Sequence, residues 1–241
     1  MAQLYPKTFI ILLLTGVLFI FSGCEKSKQD YENEKGIELL TNKKYKEAVK
    51  HFTKIIKKDK NYLPAYFNRA VCYSFLNNNR VAIKDLNVVI GKQKFEEEAY
   101  LNRAILYENQ KNYKKAIEDY THVLTINPRN IKAYHYRGIC KYYNKDYQGA
   151  IADYNHSIRI GLNSSGVYYN KAVSLDCTKD YKEAIKFYNK AIGIDKKLDR
   201  AYYARGIAKL KDGNKKAAIK DIEASIKLGY KKGIQTLKEI K

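Results

Sequence analysis

The sequence predicts an all-α chain: a solenoid of six helix-turn-helix units closed by one short C-terminal helix. Three observations lead there. Six alanines, Ala48, Ala82, Ala116, Ala150, Ala184 and Ala218, recur every 34 residues without a slip. A large apolar side chain follows each by four residues, as Phe52, Leu86, Tyr120, Tyr154, Tyr188 and Ile222. A small residue precedes each alanine by twelve (Gly36, Ala70, Ala104, Gly138, Ala172, Gly206), and in five units a tyrosine lies four before that, at Tyr66, Tyr100, Tyr134, Tyr168 and Tyr202. A fixed period of about twenty to fifty residues marks stacked supersecondary units, none able to bury its apolar face alone.

Within each unit, apolar spacings of three and four residues are helical, and the polar stretches 77–80, 109–112 and 144–146 mark a turn between two such runs. Each unit is therefore a helical hairpin. Its small residues allow the two helices to approach closely, and its aromatic residues fill the space between neighbouring hairpins. Beyond the sixth unit, Ile234, Leu237 and Ile240 recur every third residue, as suits a short helix covering the last apolar face.

With those residues in register, the chain resembles the tetratricopeptide repeat family. The family pattern has an aromatic residue at position 4, Gly or Ala at 8, Ala at 20, Phe or Tyr at 24 and often Pro at 32. Numbered that way, the repeats run 29–62, 63–96, 97–130, 131–164, 165–198 and 199–232, with a capping helix over 233–241. The resemblance implies a right-handed α-solenoid. Departures are specific: only Pro128 holds the proline position, Glu32 replaces the first aromatic, and Ser157 and Ser225 replace the small apolar residue expected at position 27.

The N-terminus has its own pattern. Lys7 precedes an uncharged run over 8–21 and then Ser22, Gly23 and Cys24. Fourteen residues are too few to span a bilayer core, which needs about 20. A positive start, a short apolar stretch and small residues at its end describe a secretory signal over 1–23. Small residues directly before a cysteine resemble the bacterial lipobox, with Phe21 where Leu is usual. That resemblance implies cleavage before Cys24, acylation of Cys24, and a lipidated N-terminus with a short linker over 24–28. The implied location is the bacterial cell envelope, anchored by lipid to the outer membrane.

The formal net charge is +21, and Lys7 is the only charged residue that removal of 1–23 would take away. Such an excess points to nucleic acid, anionic lipid or acidic glycan as partners. Export argues against nucleic acid. Lys46, Lys50, Lys54, Lys114, Lys115, Lys182, Lys186 and Lys190 fall on the outer face of second helices, which reads either as a solvated face or as attraction to anionic headgroups, each lysine near such a surface contributing about 1 kcal/mol. Beyond Cys24 three cysteines remain. Cys72 and Cys140 share repeat position 10 two units apart, too far to bridge, and read as small core residues, and nothing near Cys177 suggests an activated thiol.

A correlation inside the chain predicts ion pairs. Position 7 is Arg69, Arg103, Arg137 and Arg205 in four units, each followed sixteen residues later by Asp85, Asp119, Asp153 and Asp221. The two units with Lys35 and Lys171 carry His51 and Phe187 instead. An antiparallel hairpin brings these positions together, and a guanidinium fits a carboxylate in a crowded interface. The expected role is structural, with both groups largely buried.

Catalysis finds no constellation. His51, His122, His135 and His156 lack metal-site spacing, and there is no glycine loop to cradle phosphate and no activated serine motif, so neither cofactor nor metal is expected. Binding is expected instead. On the first helix of each repeat, positions 4, 7, 8 and 11 cluster on one side and 2, 5, 9, 12 and 13 on the other. The family resemblance places the second set on a concave surface that takes an extended peptide or a partner's helix. Here it includes Phe67, Phe75, His135, Tyr142, Tyr143, Tyr169 and Tyr203, with Ile105, Ile139, Val173 and Ile207 at position 9. Chaperone-binding members of the family clamp a terminal carboxylate with Lys at position 5 and Asn at position 9, and no repeat here has either. The reading is a membrane-anchored scaffold for envelope proteins. The alternative is anionic lipid or glycan binding by the basic outer face.

Replacing Cys24 with Ala should block acylation and release the chain from membranes washed at high salt. Membrane fractionation with detection of the acyl group checks this, and a variant that stays membrane-bound without an acyl chain would contradict the anchor.

Overall fold

The computed structural model describes residues 27–92 and 96–240. Cys24 and the segment before it lie outside the described residues, so the anchor has no structural account here. Among the described residues the secondary structure is helical throughout, in two compact units divided between Pro128 and Arg129. The first unit holds α1 (Lys28–Thr41), α2 (Tyr45–Lys58), α3 (Leu63–Phe75), α4 (Asn79–Ile90), α5 (Glu96–Asn109) and α6 (Tyr113–Ile126). The second holds α7 (Ile131–Tyr143), α8 (Tyr147–Arg159), α9 (Ser165–Cys177), α10 (Tyr181–Ile194), α11 (Asp199–Lys211), α12 (Lys215–Lys227) and α13 (Lys232–Ile240). Each unit is thus three helical hairpins, the second with one extra closing helix.

The turn inside each hairpin is built one way. The first helix ends on a residue with left-handed backbone at repeat position 15: Lys43, Asn77, Lys111, Lys145, Lys179 and Gly213, with φ from 57° to 87°. The next amide reaches back five residues, as in Asn78 N to Tyr73 O at 2.8 Å and Asp146 N to Lys141 O at 2.9 Å, which occupies carbonyls that the helix end leaves open. The following residue then caps the second helix. Asn112, Asp146, Asp180 and Asn214 each accept a hydrogen bond from the amide three residues on.

Close approach sets the core. All six periodic alanines have zero exposure, and the large residues four places later are at most 1% exposed. A Cβ added at Gly138 would lie 2.8 Å from Cε1 of Tyr154, and one at Gly206 would lie 2.8 Å from Cγ1 of Ile222. The first helix therefore has no room for a side chain where the second helix presents its largest. A row the period also contained, Ala65, Ala99, Ala133, Val167 and Ala201, has zero exposure. Burying a Val, Leu, Ile or Phe side chain contributes about 1.5–3 kcal/mol, so this repeated contact carries much of the stability.

Two details refine the repeat pattern. The serines at position 27 are fully buried, and their hydroxyls donate to the carbonyls of Tyr154 and Ile222 at 2.9 and 2.7 Å, so a small polar residue fits without an unsatisfied group. At the closing helix, Ile234 is 45% exposed; Gly233 lies against the sixth hairpin, where an added Cβ would meet Ile226 Cγ1 at 2.9 Å. Close backbone approach at Gly233 seats α13, with Leu237 and Ile240 of the expected row half-buried and Ile234 turned outward.

Lysine in a left-handed turn costs about 1 kcal/mol relative to glycine. Lys179→Gly should therefore raise stability by about 0.5–1 kcal/mol, read as a higher urea midpoint with an unchanged slope, whereas Lys182→Gly inside α10 should lower it by a similar amount.

Candidate functional site

Two sets of side chains could carry function: the charged seam inside the hairpins and the inner side of the first helices. In the seam, Arg69 Nε and Nη2 donate to the two carboxylate oxygens of Asp85 at 2.8 and 2.7 Å. Arg103 meets Asp119 at 2.8 and 2.7 Å, Arg137 meets Asp153 at 2.9 and 2.7 Å, and Arg205 meets Asp221 at 2.7 and 2.6 Å. All four are two-pronged. The aspartates are buried, and each arginine packs over the ring of the tyrosine three residues before it. The Asp119 carboxylate holds the Arg103 guanidinium above its ordinary range against the cost of burial.

The third arm of the guanidinium extends the pair beyond its hairpin. Arg69 donates to Thr53, Arg103 to Asn87 and Arg205 to Asn189, each acceptor standing at position 25 of the preceding repeat. Sequence reasoning missed these partners, although the period showed them as a run of short polar residues at one repeat position. It also missed Lys141 and Lys209, four residues after their arginines, which add second cations to Asp153 and Asp221 at 3.0 and 2.8 Å. In the first hairpin the substitute is different: His51 Nε2 donates to the backbone carbonyl of Glu32 at 2.6 Å.

The inner side differs from the expected open row of rings. Phe67, Tyr142 and Tyr169 are 6%, 8% and 2% exposed, and Ile139 and Val173 are buried as well. Side chains of other helices, including the second helix of the same hairpin, cover these three rings. Tyr142 lies against Tyr147 and in hydrogen-bonding contact with Cys177, and Tyr169 lies against Tyr188. His135 is half-buried with its Nδ1 enclosed and no hydrogen-bond partner among the described residues, and burial pushes its imidazole down to about 4. The ring stays neutral at neutral pH and offers no cationic handle.

What remains accessible is narrower. Tyr143, at the end of α7, is 41% exposed. Tyr203 is half-buried, with its ring against Tyr230 and its hydroxyl 3.0 Å from that of Thr236. Ile207 and Leu210 on α11 are half-buried beside it, with Lys132 exposed and Arg200 half-buried at position 2 of their helices. Asp176 and Lys211 form an ion pair of 2.8 Å that joins α9 to α11 on this side. In the first unit, Phe75 is half-buried and stacks on Tyr45 with ring centroids 4.4 Å apart. Among the described residues no group of three or more His, Cys, Asp or Glu could hold a metal ion.

This geometry agrees with the sequence comparisons. Residues 97–130, 165–198 and 199–228 match models of the tetratricopeptide repeat. The chain carries tetratricopeptide repeats. It is 49% identical over 47 residues to Hsp70-Hsp90 organizing protein 1 of Glycine max, and 49% identical over 45 residues to Hsp70-Hsp90 organizing protein 3 of Arabidopsis thaliana. These matches cover 20% and 19% of the chain and 8% of each relative. Among solved structures, the C-terminal part of a TPR repeat-containing protein from Cytophaga hutchinsonii is similar with a TM-score of 0.72 at 22% identity, covering 81% of this chain and 78% of that one. YrrB, described as a TPR protein with an unusual peptide-binding site, gives 0.70 at 17% identity over 78% and 97%. PilF of Pseudomonas aeruginosa gives 0.70 at 16% identity over 88% and 97%. At these identities the likeness to solved structures speaks for the fold. The repeat fold is one typical of non-catalytic interaction modules.

Removing one partner of the seam strands a buried charge. Asp119→Ala should cost about 3–5 kcal/mol, measured by urea unfolding, while Arg103→Met with Asp119→Leu together should cost much less.

Proposed function

We propose that this protein is a non-enzymatic, membrane-anchored scaffold or adaptor of the bacterial cell envelope. It binds a peptide or helix of a partner protein on the inner side of repeats 4 to 6. The observation that carries the reading is the exposed and half-buried group on α7 and α11: Tyr143, Tyr203, Ile207 and Leu210. Aromatic residues supply large contact area at low entropic cost, and apolar residues beside them fit the hydrophobic face of an amphipathic segment. Lys132 and Arg200 favour a partner whose flanks are acidic.

The partner-binding role assigned from sequence to Phe67, Tyr142 and Tyr169 is not carried forward, since a ring covered by its neighbour has little surface to offer. Phe75 and His135 are secondary contacts at most. Capture of a terminal carboxylate, the mode of the family's chaperone-binding members, lacks its residues: position 5 is Asn33, Phe67, Leu101, His135, Tyr169 or Tyr203, and position 9 is aliphatic in every repeat. The local likeness to the Hsp70-Hsp90 organizing proteins therefore supports a binding module without that ligand.

The second reading, anionic lipid or glycan on the outer face, is favoured by the exposure of Lys46, Lys50, Lys54, Lys114, Lys115, Lys182, Lys186 and Lys190. Salt distinguishes the two, because contacts between exposed charges are screened over about 8 Å at physiological ionic strength, whereas apolar contacts are not.

Tyr143→Ala with Tyr203→Ala should weaken capture of the partner at least tenfold while circular dichroism stays unchanged, and wild-type capture should survive 0.5 M salt to within about threefold. Undiminished capture by a folded double variant, or loss of capture in salt, moves the binding site to the outer face.

A further inference from the structure

The fifth hairpin breaks the charge balance of the seam. In four hairpins the cation at position 7 is neutralised by a two-pronged aspartate. In the fifth, Lys171 and Phe187 stand at those two places. Lys171 is 8% exposed, and its Nζ lies 3.4 Å from the centroid of the Phe187 ring. A second ammonium gathers over the same ring: Lys190 Nζ is 4.9 Å from the Phe187 centroid and 5.6 Å from that of Tyr168. The two rings stack at 6.2 Å with 20° between their planes, with Lys190 near both and Lys171 directly over Phe187. Neither lysine forms an ion pair among the described residues. Glu183, whose charge acts on Lys171, is engaged by Lys186 at 2.8 Å.

Two cations over one aromatic wall, one of them buried, form an unusual arrangement. Ring faces attract an ammonium but carry no net charge, so the anion that offsets the repulsion between the amines is Glu183, which Lys186 already engages. Burial above all lowers the affinity of Lys171 for its proton; the charge of Glu183 opposes this and that of Lys190 adds to it. In the neighbouring hairpins, Asp153 and Asp221 each hold two cations, an arginine and a lysine, by one carboxylate. The fifth hairpin keeps two cations and has lost the anion between them.

The geometry points to an oxyanion site in this hairpin, in which Lys171 and Lys190 together hold a phosphate group entering from the solvent side beside the exposed Lys190, with Tyr168 and Phe187 as its apolar wall. Phosphate supplies several strong acceptor oxygens, so one group satisfies both amines with charge-assisted hydrogen bonds. Such a group comes from free phosphate or from the phosphomonoester headgroup of a lipid. The site goes beyond the peptide-binding reading and lies apart from it: Tyr168 and Lys171 occupy positions 4 and 7 of α9, away from Asp176 and Cys177 on the inner side.

The test is calorimetric titration of the full chain, in neutral detergent at fixed ionic strength, with inorganic phosphate. Wild type should bind phosphate in preference to chloride. Lys171→Arg with Phe187→Asp rebuilds the pair of the other four hairpins, supplies an internal carboxylate, and should weaken phosphate binding at least tenfold. Lys190→Ala changes only an exposed amine and should weaken it severalfold, which keeps the test decisive if the double variant does not fold. Absence of phosphate-specific binding in wild type, or unchanged affinity in a folded variant of either kind, overturns the site. A competition arm separates the sources: displacement by phosphatidic acid vesicles but not by phosphatidylcholine vesicles assigns the headgroup, and failure of both assigns soluble phosphate.

Discussion

The closest contact in each hairpin, a small residue on the first helix facing a large residue on the second, is the constraint from which the rest follows. Gly36, Gly138 and Gly206 face Phe52, Tyr154 and Ile222 with no space for a further carbon. Because interiors are packed to crystal-like density, this contact fixes the separation and register of the two helices together. It also places positions 7 and 23 side by side, which lets a buried guanidinium meet a buried carboxylate with both prongs. A larger residue at position 8 would push the helices apart and lengthen every hydrogen bond in the seam.

The seam illustrates how a costly element becomes structural. Burying an ion pair is unfavourable unless its geometry is good and its remaining donors are used. Here the aspartate takes two hydrogen bonds from one arginine, the tyrosine ring covers the guanidinium, and the third arm reaches Thr53, Asn87 or Asn189 of the preceding repeat. That last bond gives a pair inside one hairpin a second duty as a tie between hairpins. Where Arg and Asp are absent the chain uses other means: His51 bonds a backbone carbonyl in the first hairpin, and Lys171 settles on Phe187 in the fifth. In the fifth hairpin the replacement satisfies packing but leaves charge over.

Stacking also explains which rings can meet a partner. Tyr169, at position 5 of the fifth repeat, is 2% exposed, while Tyr203, at the same position of the last repeat beside a nine-residue helix, remains half open. Identical repeat positions therefore have unequal access. The end of the array leaves Tyr203 half open because the supply of covering repeats stops there, while Tyr143 is open within the array at the end of α7.

By itself the sequence determined the helical hairpin, its count, the turn between its helices and the partners in the four ion pairs, because each is local or repeats at a constant interval. Ala48 and its five counterparts needed no coordinates to be placed in the core, and the pairing of Arg103 with Asp119 was visible in the absence of acid wherever arginine was missing. Only the tertiary structure decided which inner rings are covered, because burial of Phe67, Tyr142 and Tyr169 depends on side chains of other helices, such as Tyr147 against Tyr142 and Tyr188 against Tyr169, and not on the helix that carries them. It alone showed that Gly233 rather than Ile234 meets the sixth hairpin, a matter of backbone distance that a three-residue spacing does not encode. It alone brought Lys190 over the ring that already holds Lys171, since the meeting of two amines nineteen residues apart depends on how deeply Phe187 seats between the helices.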